Sequence, residues 1–368
     1  MVIISTQCFA PTAGGIESVM HEIASNICSS GKRVIVFADQ TKNTQQILFD
    51  ARQPFTTHRY SGLRPLRRHK KARDIHNYVG KHDACNPNVL LSDSWKSIEL
   101  IDASLFSKIV CLAHGSETPA TTTRSKRARI KRAYSNATSI IANSQFTATR
   151  VKPYLDNHKK ICVIHPGISL PLVDQQRQKL VKLQLDKHSF ILSTIARLEP
   201  RKNHQIIIRS LPELLKHHPT LLYAVIGDGP ERKSIEALSI KLNVQNHVLF
   251  TGTLDGPEKN AYLANSDLFI MPGTVVKNDV EGFGLAYIEA GFFGVPSIAS
   301  NIGGATEAVL HNKTGIVCDA EDQKQLENCI LNLLEDREKR HLLGRQAQHR
   351  STEFLWQNKI QEYFNIME

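Results

Sequence analysis

Short apolar runs alternate with amphipathic stretches along this chain, and the alternation stops once and then restarts. A first set comprises Val2–Ser5, Val34–Ala38, Val89–Ser92, Ile109–Leu112, Ser139–Ala142 and Ile161–Ile164. Helical periodicity lies between them at Ile16–Ser29 and Arg124–Tyr134, with a weaker middle over residues 40–90. After Pro166-Gly167, a proline-bounded polar segment to about His188 reads as a linker plus a short helix. The second set is Phe190–Ile195, Leu221–Ile226, Val248–Thr251, Leu268–Met271, Ser297–Ala299 and Gly315–Val317, with helices at Gln205–Lys216 and Arg232–Leu242 and more to the C-terminus. Unbroken apolar runs of this length suit strands buried on both faces, and a helix between successive strands is what a parallel crossover needs. The pattern predicts an α/β chain of two consecutive doubly wound domains, and the 368 residues suffice for two cores. Ligands of such sheets bind beyond the carboxyl ends of the strands, which predicts a site between the domains.

Other classes fall away on composition. No apolar run approaches the ~18–20 residues that span a bilayer. The first positive charge is Lys32, so a basic segment ahead of a signal-peptide core is missing and a cytoplasmic protein is expected. The seven cysteines (Cys8, Cys28, Cys85, Cys111, Cys162, Cys318, Cys329) show neither metal-ligand nor redox-motif spacing and are expected to be reduced and mostly buried. Charge is uneven. Residues 1–166 hold 24 Lys and Arg against 11 Asp and Glu, a balance of +13, while residues 167–368 hold 22 against 24. Two clusters dominate the basic half: Arg64, Arg67, Arg68, Lys70, Lys71 and Arg73, then Arg124, Lys126, Arg127, Arg129, Lys131 and Arg132. Nucleic acid, an anionic membrane surface or a phosphorylated substrate would suit them, as would plain solvation of a helix face.

Glycines and charges gather where strands hand over to helices. Gly14 and Gly15 follow the first run, where a backbone without side chains lets a ligand approach free helix amides. Neither this pair nor Gly227-Asp228-Gly229-Pro230 matches the three-glycine dinucleotide fingerprint, which removes the main support for a dehydrogenase. Arg197 and Lys202 follow the first strand of the second half and are placed to hold a diphosphate. In Glu281-Gly282-Phe283-Gly284-Leu285-Ala286-Tyr287-Ile288-Glu289, the glycines open a helix toward phosphate. The two carboxylates raise a glycosidase reading, but eight residues apart across a helix start they suit separate hydroxyl-binding tasks, Glu289 on a ribose and Glu281 on a sugar. His114, after a strand and before Gly115, is a site candidate even among sixteen histidines, whereas Trp95 reads first as core and second as a sugar-stacking ring.

These motifs, together with Gly14-Gly15-Ile16-Glu17, Ala113-His114-Gly115-Ser116-Glu117, Ala142-Asn143-Ser144, His165-Pro166-Gly167 and Gly303-Gly304, resemble glycosyltransferase family 4 over nearly the whole length. The resemblance implies the GT-B fold: two Rossmann-like domains facing across a cleft, with a C-terminal helix crossing back. It implies an acceptor domain of residues 1–166 completed by a helix at about 352–368, marked by Phe354 and Trp356, and a donor domain of residues 167–351. It implies retaining transfer of a hexose-type sugar from a nucleotide-diphosphate sugar to a saccharide or lipid-linked acceptor, in synthesis of bacterial lipopolysaccharide, other surface polysaccharide or glycolipid. Carried over position by position, Arg197 and Lys202 hold the diphosphate with the amides of Gly282, Phe283, Gly284 and Leu285. Glu289 takes the ribose, Glu281 the sugar hydroxyls, and the strand from Val248 to Phe250 the nucleobase. Gly14 and Gly15 lie against diphosphate and sugar, and His114 comes near the reacting centre. No metal or other cofactor is expected, because cations and helix dipoles meet the leaving-group charge. Residues 40–90 and Thr274–Val280 depart from the family pattern and leave the acceptor unassigned. The basic half is expected to associate peripherally with the inner face of the cytoplasmic membrane. A non-transferring GT-B enzyme, an epimerase or a phosphorylase, is the nearest alternative. A basic nucleic-acid-binding protein is the more distant one, because aromatic residues do not interleave with the charges.

Overall fold

The computed structural model of the chain describes residues 1–40, 45–82, 88–156 and 160–368. Cys85 lies outside them. The described residues form two compact units, Met1–Gly167 with Trp356–Glu368, and Ile168–Leu355.

In the first unit the strands are β1 (Val2–Thr6), β2 (Val34–Asp39), β3 (Thr56–Tyr60), β4 (Val89–Ser92), β5 (Lys108–Ala113), β6 (Ser139–Ala142) and β7 (Lys160–Val163). They make one parallel sheet in the order β3-β2-β1-β4-β5-β6-β7. Ile3 pairs with Ile35 on one side and Leu90 on the other, in strands buried on both faces, which is why these segments read as unbroken apolar runs. β3 escapes that reading. Its sequence, Thr-Thr-His-Arg-Tyr, sits at the sheet edge and only Tyr60 is buried, so no apolar run marks it. The helix Arg64–His82 crosses the weak middle with mostly polar residues but sends Ala72, Ile75 and Val79, three and four apart, into the core with Phe37 and Tyr60. Trp95 is core, with its indole Nε1 donating to the Glu117 carbonyl at 2.9 Å.

The C-terminal helix Trp356–Met367 belongs to this unit and buries Trp356, Tyr363 and Met367. It begins four residues later than the expected 352. The turn Thr352–Phe354 stays with the second unit, because Phe354 packs on Phe283 at 5.6 Å between ring centroids and its carbonyl accepts the Ile168 N–H at 2.7 Å.

The second unit opens with a helix, Gln175–Leu185, whose start is capped by the Asp174 carboxylate. Its strands are β8 (Ile191–Ile195), β9 (Leu222–Ile226), β10 (Val248–Gly252), β11 (Leu268–Met271), β12 (Ser297–Ser300) and β13 (Gly315–Cys318), again parallel, in the order β10-β9-β8-β11-β12-β13. Leu192, Tyr223, Ile270 and Ile298 centre the core on one face. In each sheet two adjacent strands hand the chain on in opposite directions, β1 and β4 in the first and β8 and β11 in the second. Those are the switch points, where neighbouring loops part and leave a crevice. None of the six described cysteines is in a disulfide, but only Cys111 and Cys318 are buried. Cys8, Cys28, Cys162 and Cys329 are half-buried, so the expectation of mostly buried thiols needs correcting: Cys28, for one, lies in the last turn of the helix Gly15–Ser29.

Candidate functional site

Beyond β8 the chain makes a short loop and a single 3-10 turn, Pro200–Lys202, before the helix His204–His217 begins at Asn203 in a left-handed conformation. That turn sends two consecutive cations toward one carboxylate. The Lys202 ammonium donates to Glu281 Oε2 and lies 3.4 Å from the Met271 Sδ, and Arg201 Nη1 donates to the same Glu281 oxygen at 2.8 Å. Arg201 also lies 3.4 Å from Asp279 and 3.6 Å from Glu199. Glu281 arrives from the other side of the switch point, on the loop after β11. Lys202 and Glu281 are therefore brought together. Arg197 is not: its side chain is 71% exposed and pairs with Glu199 at 3.2 Å. Arg201 was missed by sequence reasoning, which named Arg197 and Lys202 in the same loop and passed over it. The acidic pattern Glu199, Asp279 and Glu281 around it was the available signal.

The site's electrostatics follow from this packing. Burial alone would raise the Glu281 carboxyl, but Lys202 and then Arg201 outweigh it and hold its pKa at about 2. Burial pushes the Lys202 ammonium down, with Glu281 opposing and Arg201 adding to the fall. Glu281 is thus an anion at any ordinary pH and has no proton to give, which removes it as the acid of a glycosidase pair. Behind Lys202, His204 is buried and held neutral, its pKa pushed by burial and by Lys202 to about 3, with Nδ1 2.9 Å from the Tyr223 hydroxyl.

Past Glu281 the chain turns through Gly284 at φ +93°, a conformation that favours glycine, and enters the helix Leu285–Phe292. No side chain among the described residues caps that helix, which leaves its first amides without a side-chain partner. Phe283 is buried against Phe354 and has only its backbone to offer. The loop is held by Gly303-Gly304: the Gly304 N–H donates to the Glu281 carbonyl at 2.9 Å, and a Cβ on Gly304 would run into the Gly282 carbonyl oxygen. Glu289, one turn into that helix, pairs with Lys259 at 2.8 Å, apart from the Glu281 cluster. Lys259 was also missed in the sequence. Val248 is buried in the core, so only its backbone is available, whereas Phe250 is half-buried with the Arg232 guanidinium 4.7 Å above its ring.

The remaining candidates are in the first unit. Gly14 and Gly15 start the helix Gly15–Ser29 and are exposed, with the Glu17 side chain folded over Gly14. His114 follows β5 in a turn through Gly115 at φ +105°, closed by the Glu117 carboxylate, which accepts the His114 N–H at 2.7 Å. Its imidazole Nε2 is buried and has no hydrogen-bond partner among the described residues, a state that a polar ligand would relieve. The two basic helices are less free than their sequences suggest. Lys71 and Arg67 pair with Asp39 at 2.8 and 2.9 Å, and Glu99 takes Arg68 and Arg129 together, so one carboxylate ties both clusters.

Set against known proteins, the chain matches two family profiles that adjoin: Glycosyltransferase Family 4 over residues 13–171 and Glycosyl transferases group 1 over residues 175–350. It is similar to the GDP-mannose-dependent alpha-(1-6)-phosphatidylinositol monomannoside mannosyltransferase of Mycolicibacterium smegmatis, 27% identical over 95% of this chain and 93% of the relative. It is also similar to the glycogen synthase of Mycobacterium tuberculosis, 32% identical over 44% of this chain and 38% of that one. Among solved structures, Anabaena HepE in complex with UDP-glucose superposes with a TM-score of 0.80 at 20% identity, covering 99% of this chain and 98% of the other.

Proposed function

The chain belongs to glycosyltransferase family 4 and is a glycosyltransferase of GT-B fold, and on that premise we propose that it moves a hexose-type sugar, with retention, from a nucleotide-diphosphate sugar to a lipid-linked or saccharide acceptor in bacterial cell-surface glycolipid or polysaccharide synthesis. The observation that carries the reading is the convergence of Lys202 and Arg201 on Glu281 beside an uncapped helix start at the switch point of the second sheet. An ammonium has three N–H groups; Lys202 directs one at Glu281 and one at Met271, and the third remains for a phosphoryl oxygen. The exposed Arg197 and the amides from Gly282 to Leu285 complete a diphosphate cradle that stabilises the departing nucleotide with no metal needed. Both cations meet Glu281 at Oε2, and Oε1 accepts no hydrogen bond among the described residues, so it is available to a hydroxyl of the transferred sugar. Glu289, released from Lys259, takes the ribose. The Val248–Phe250 strand faces the base.

The relatives' names supply a donor and acceptor to try first, GDP-mannose with a phosphatidylinositol mannoside, and a structural neighbour supplies UDP-glucose. Among the described residues no helix is long and apolar enough to cross a membrane. Reversible docking at the inner face of the cytoplasmic membrane is supported by Leu63 and Leu66, 75% and 69% exposed, interleaved with Arg64 and Lys70 at the start of a basic helix. A nucleotide-sugar panel read by mass and nuclear magnetic resonance tests the activity. Transfer yields a new glycoside; a new nucleotide sugar, or the glycoside only when phosphate replaces the nucleotide, overturns it in favour of an epimerase or a phosphorylase.

A further inference from the structure

Two cysteines at the far edge of the second sheet face each other. Cys318 ends β13, and Cys329 lies on the helix Gln323–Glu335, which packs against that strand in the same core. Cys28, Cys111 and Cys162 direct their thiols at backbone carbonyls, whereas the Cys318 thiol donates to Cys329. Cys318 is buried and Cys329 half-buried, so Cys329 is the one that solvent reaches. The hydrogen bond from Cys318 holds the Cys329 thiol down at about 7, with burial opposing and Lys339 assisting, while the same bond and then burial push Cys318 up. A good part of Cys329 is therefore thiolate at neutral pH, the form that attacks a disulfide.

The segment joining the two cysteines is tied on both sides. Toward the helix, the Asp319 N–H donates to the Gln325 side chain, and Asp322 caps the helix start by accepting the Gln325 N–H at 2.9 Å. On the other side the segment holds three loops of the candidate site. The Cys318 carbonyl accepts the N–H of Asn301, just ahead of Gly303-Gly304, at 2.9 Å. The Ala320 carbonyl accepts the side-chain amide of Asn203, next to Lys202, at 3.2 Å. The Glu321 carboxylate accepts the Thr274 hydroxyl at 3.3 Å, and the Thr274 N–H donates to the Arg201 carbonyl at 2.8 Å. A disulfide holds its sulfurs at about 2.05 Å, closer than any hydrogen bond, so closing one here draws the end of β13 toward the helix. Asn203, Asn301 and Thr274 carry that shift to Lys202, Glu281 and Arg201.

We infer that Cys318 and Cys329 form a reversible modification site, closed by a low-molecular-weight disulfide such as glutathione disulfide, and that closure loosens the three loops and their hold on a nucleotide diphosphate. The nucleotide rests on the transferase reading; the disulfide and the loops do not. The Cys329 thiolate attacks one glutathione sulfur and expels the other glutathione, which takes up a proton. Capping removes the thiolate that retained the Cys318 proton, so Cys318 gives it to solvent, its sulfur attacks the Cys329 sulfur, and the second glutathione leaves and is protonated. Two thiols are oxidised and one disulfide is reduced. Incubation of the full chain with glutathione disulfide, read by peptide mapping, tests the site. Wild type should acquire a 318–329 cross-link that dithiothreitol reverses. Cys318→Ser should instead keep a glutathionyl group on Cys329, and Cys329→Ser should leave Cys318 unmodified. Hydrogen exchange in the closed wild type should rise in peptides holding Asn203, Thr274 and Asn301, and nucleotide-diphosphate affinity should fall about fivefold or more, returning on reduction. No cross-link, a glutathionyl group that persists on wild-type Cys329, or unchanged exchange at those three residues overturns the inference. So does an unchanged affinity in a chain that binds nucleotide when reduced. A reduced chain that binds no nucleotide diphosphate counts against the transferase reading, and the cross-link and the exchange still decide this site.

Discussion

Both units place cations beyond the two strands where the sheet order reverses, but they balance them in opposite ways. In the second unit Lys202 and Arg201 share an internal carboxylate, Glu281, and Glu289 has its own partner in Lys259. In the first, Asp39 and Glu99 neutralise the cations nearest the core, and Lys96, Arg64 and Lys126 make no ion pair among the described residues. An internal counter-ion fixes a cation's position and mutes its field until a ligand arrives. A cation without one keeps its long-range pull but is less precisely aimed. The contrast matches a tightly oriented small donor on one side and a larger, charge-steered partner on the other.

The sharpest way to break this contrast is to remove the paired cation. Lys202→Ala should lower kcat/KM with a nucleotide sugar by a few orders of magnitude, since a charged donor at a departing group is worth ~2.7–4 kcal/mol. A change under tenfold in a steady-state assay would mean the pair is structural. Next comes the division between the carboxylates. Glu289→Gln should weaken the binding of free nucleotide diphosphate, and Glu281→Gln should spare that binding while impairing transfer; equal losses in titration would erase the distinction. Gly304→Ala pushes a methyl group into the Gly282 carbonyl and should destabilise the second unit by ~1–3 kcal/mol in thermal unfolding, with weaker nucleotide binding.

Acid sharpens the comparison further. The folded-state pKa of Glu281, about 2, lies below its ordinary value of 4.5, so the ion pair's contribution is complete above about pH 4.5 and is lost as pH falls toward 2. Denaturation curves of Glu281→Gln should therefore lack part of the wild-type slope in that window and match its slope above pH 5. The smallest effects belong to the unpaired charges. Each basic residue near an anionic leaflet contributes ~1 kcal/mol, so Lys70→Glu with Lys131→Glu should reduce, without abolishing, pelleting with anionic vesicles at low salt. Arg129 is the wrong probe, because its guanidinium is tied to Glu99. Wild type that stays in the supernatant would point to a soluble acceptor.

What the sequence made legible follows the same physics. Strands buried on both faces cannot hide, and the runs around Ile3, Leu90, Leu192 and Ile270 stood out before any geometry. β3 could not, because a polar edge strand has no periodic burial to display. Lys202, Glu281 and the glycines beside them were readable as motif positions, and their meeting at Glu281 Oε2 was not. Arg201 and Lys202 are adjacent and equally basic, and only their contacts show that both reach the same carboxylate oxygen. The counter-ions were invisible for a related reason. Asp39 and Glu99 lie outside every cluster of charge in the sequence, so the two basic clusters overstated how many of their cations are free.

The first unit is built from two stretches of chain, with all 188 residues of Ile168–Leu355 between them. At ~5–20 residues per second a ribosome needs ~10–40 s to pass through that insertion. Throughout that interval the seven-stranded sheet is already available to fold, while the surfaces that will cover Trp356, Tyr363 and Met367 remain open. The amino-terminal half is thus the first to be made and the last to be finished, and it is the half a chaperone would attend for longest.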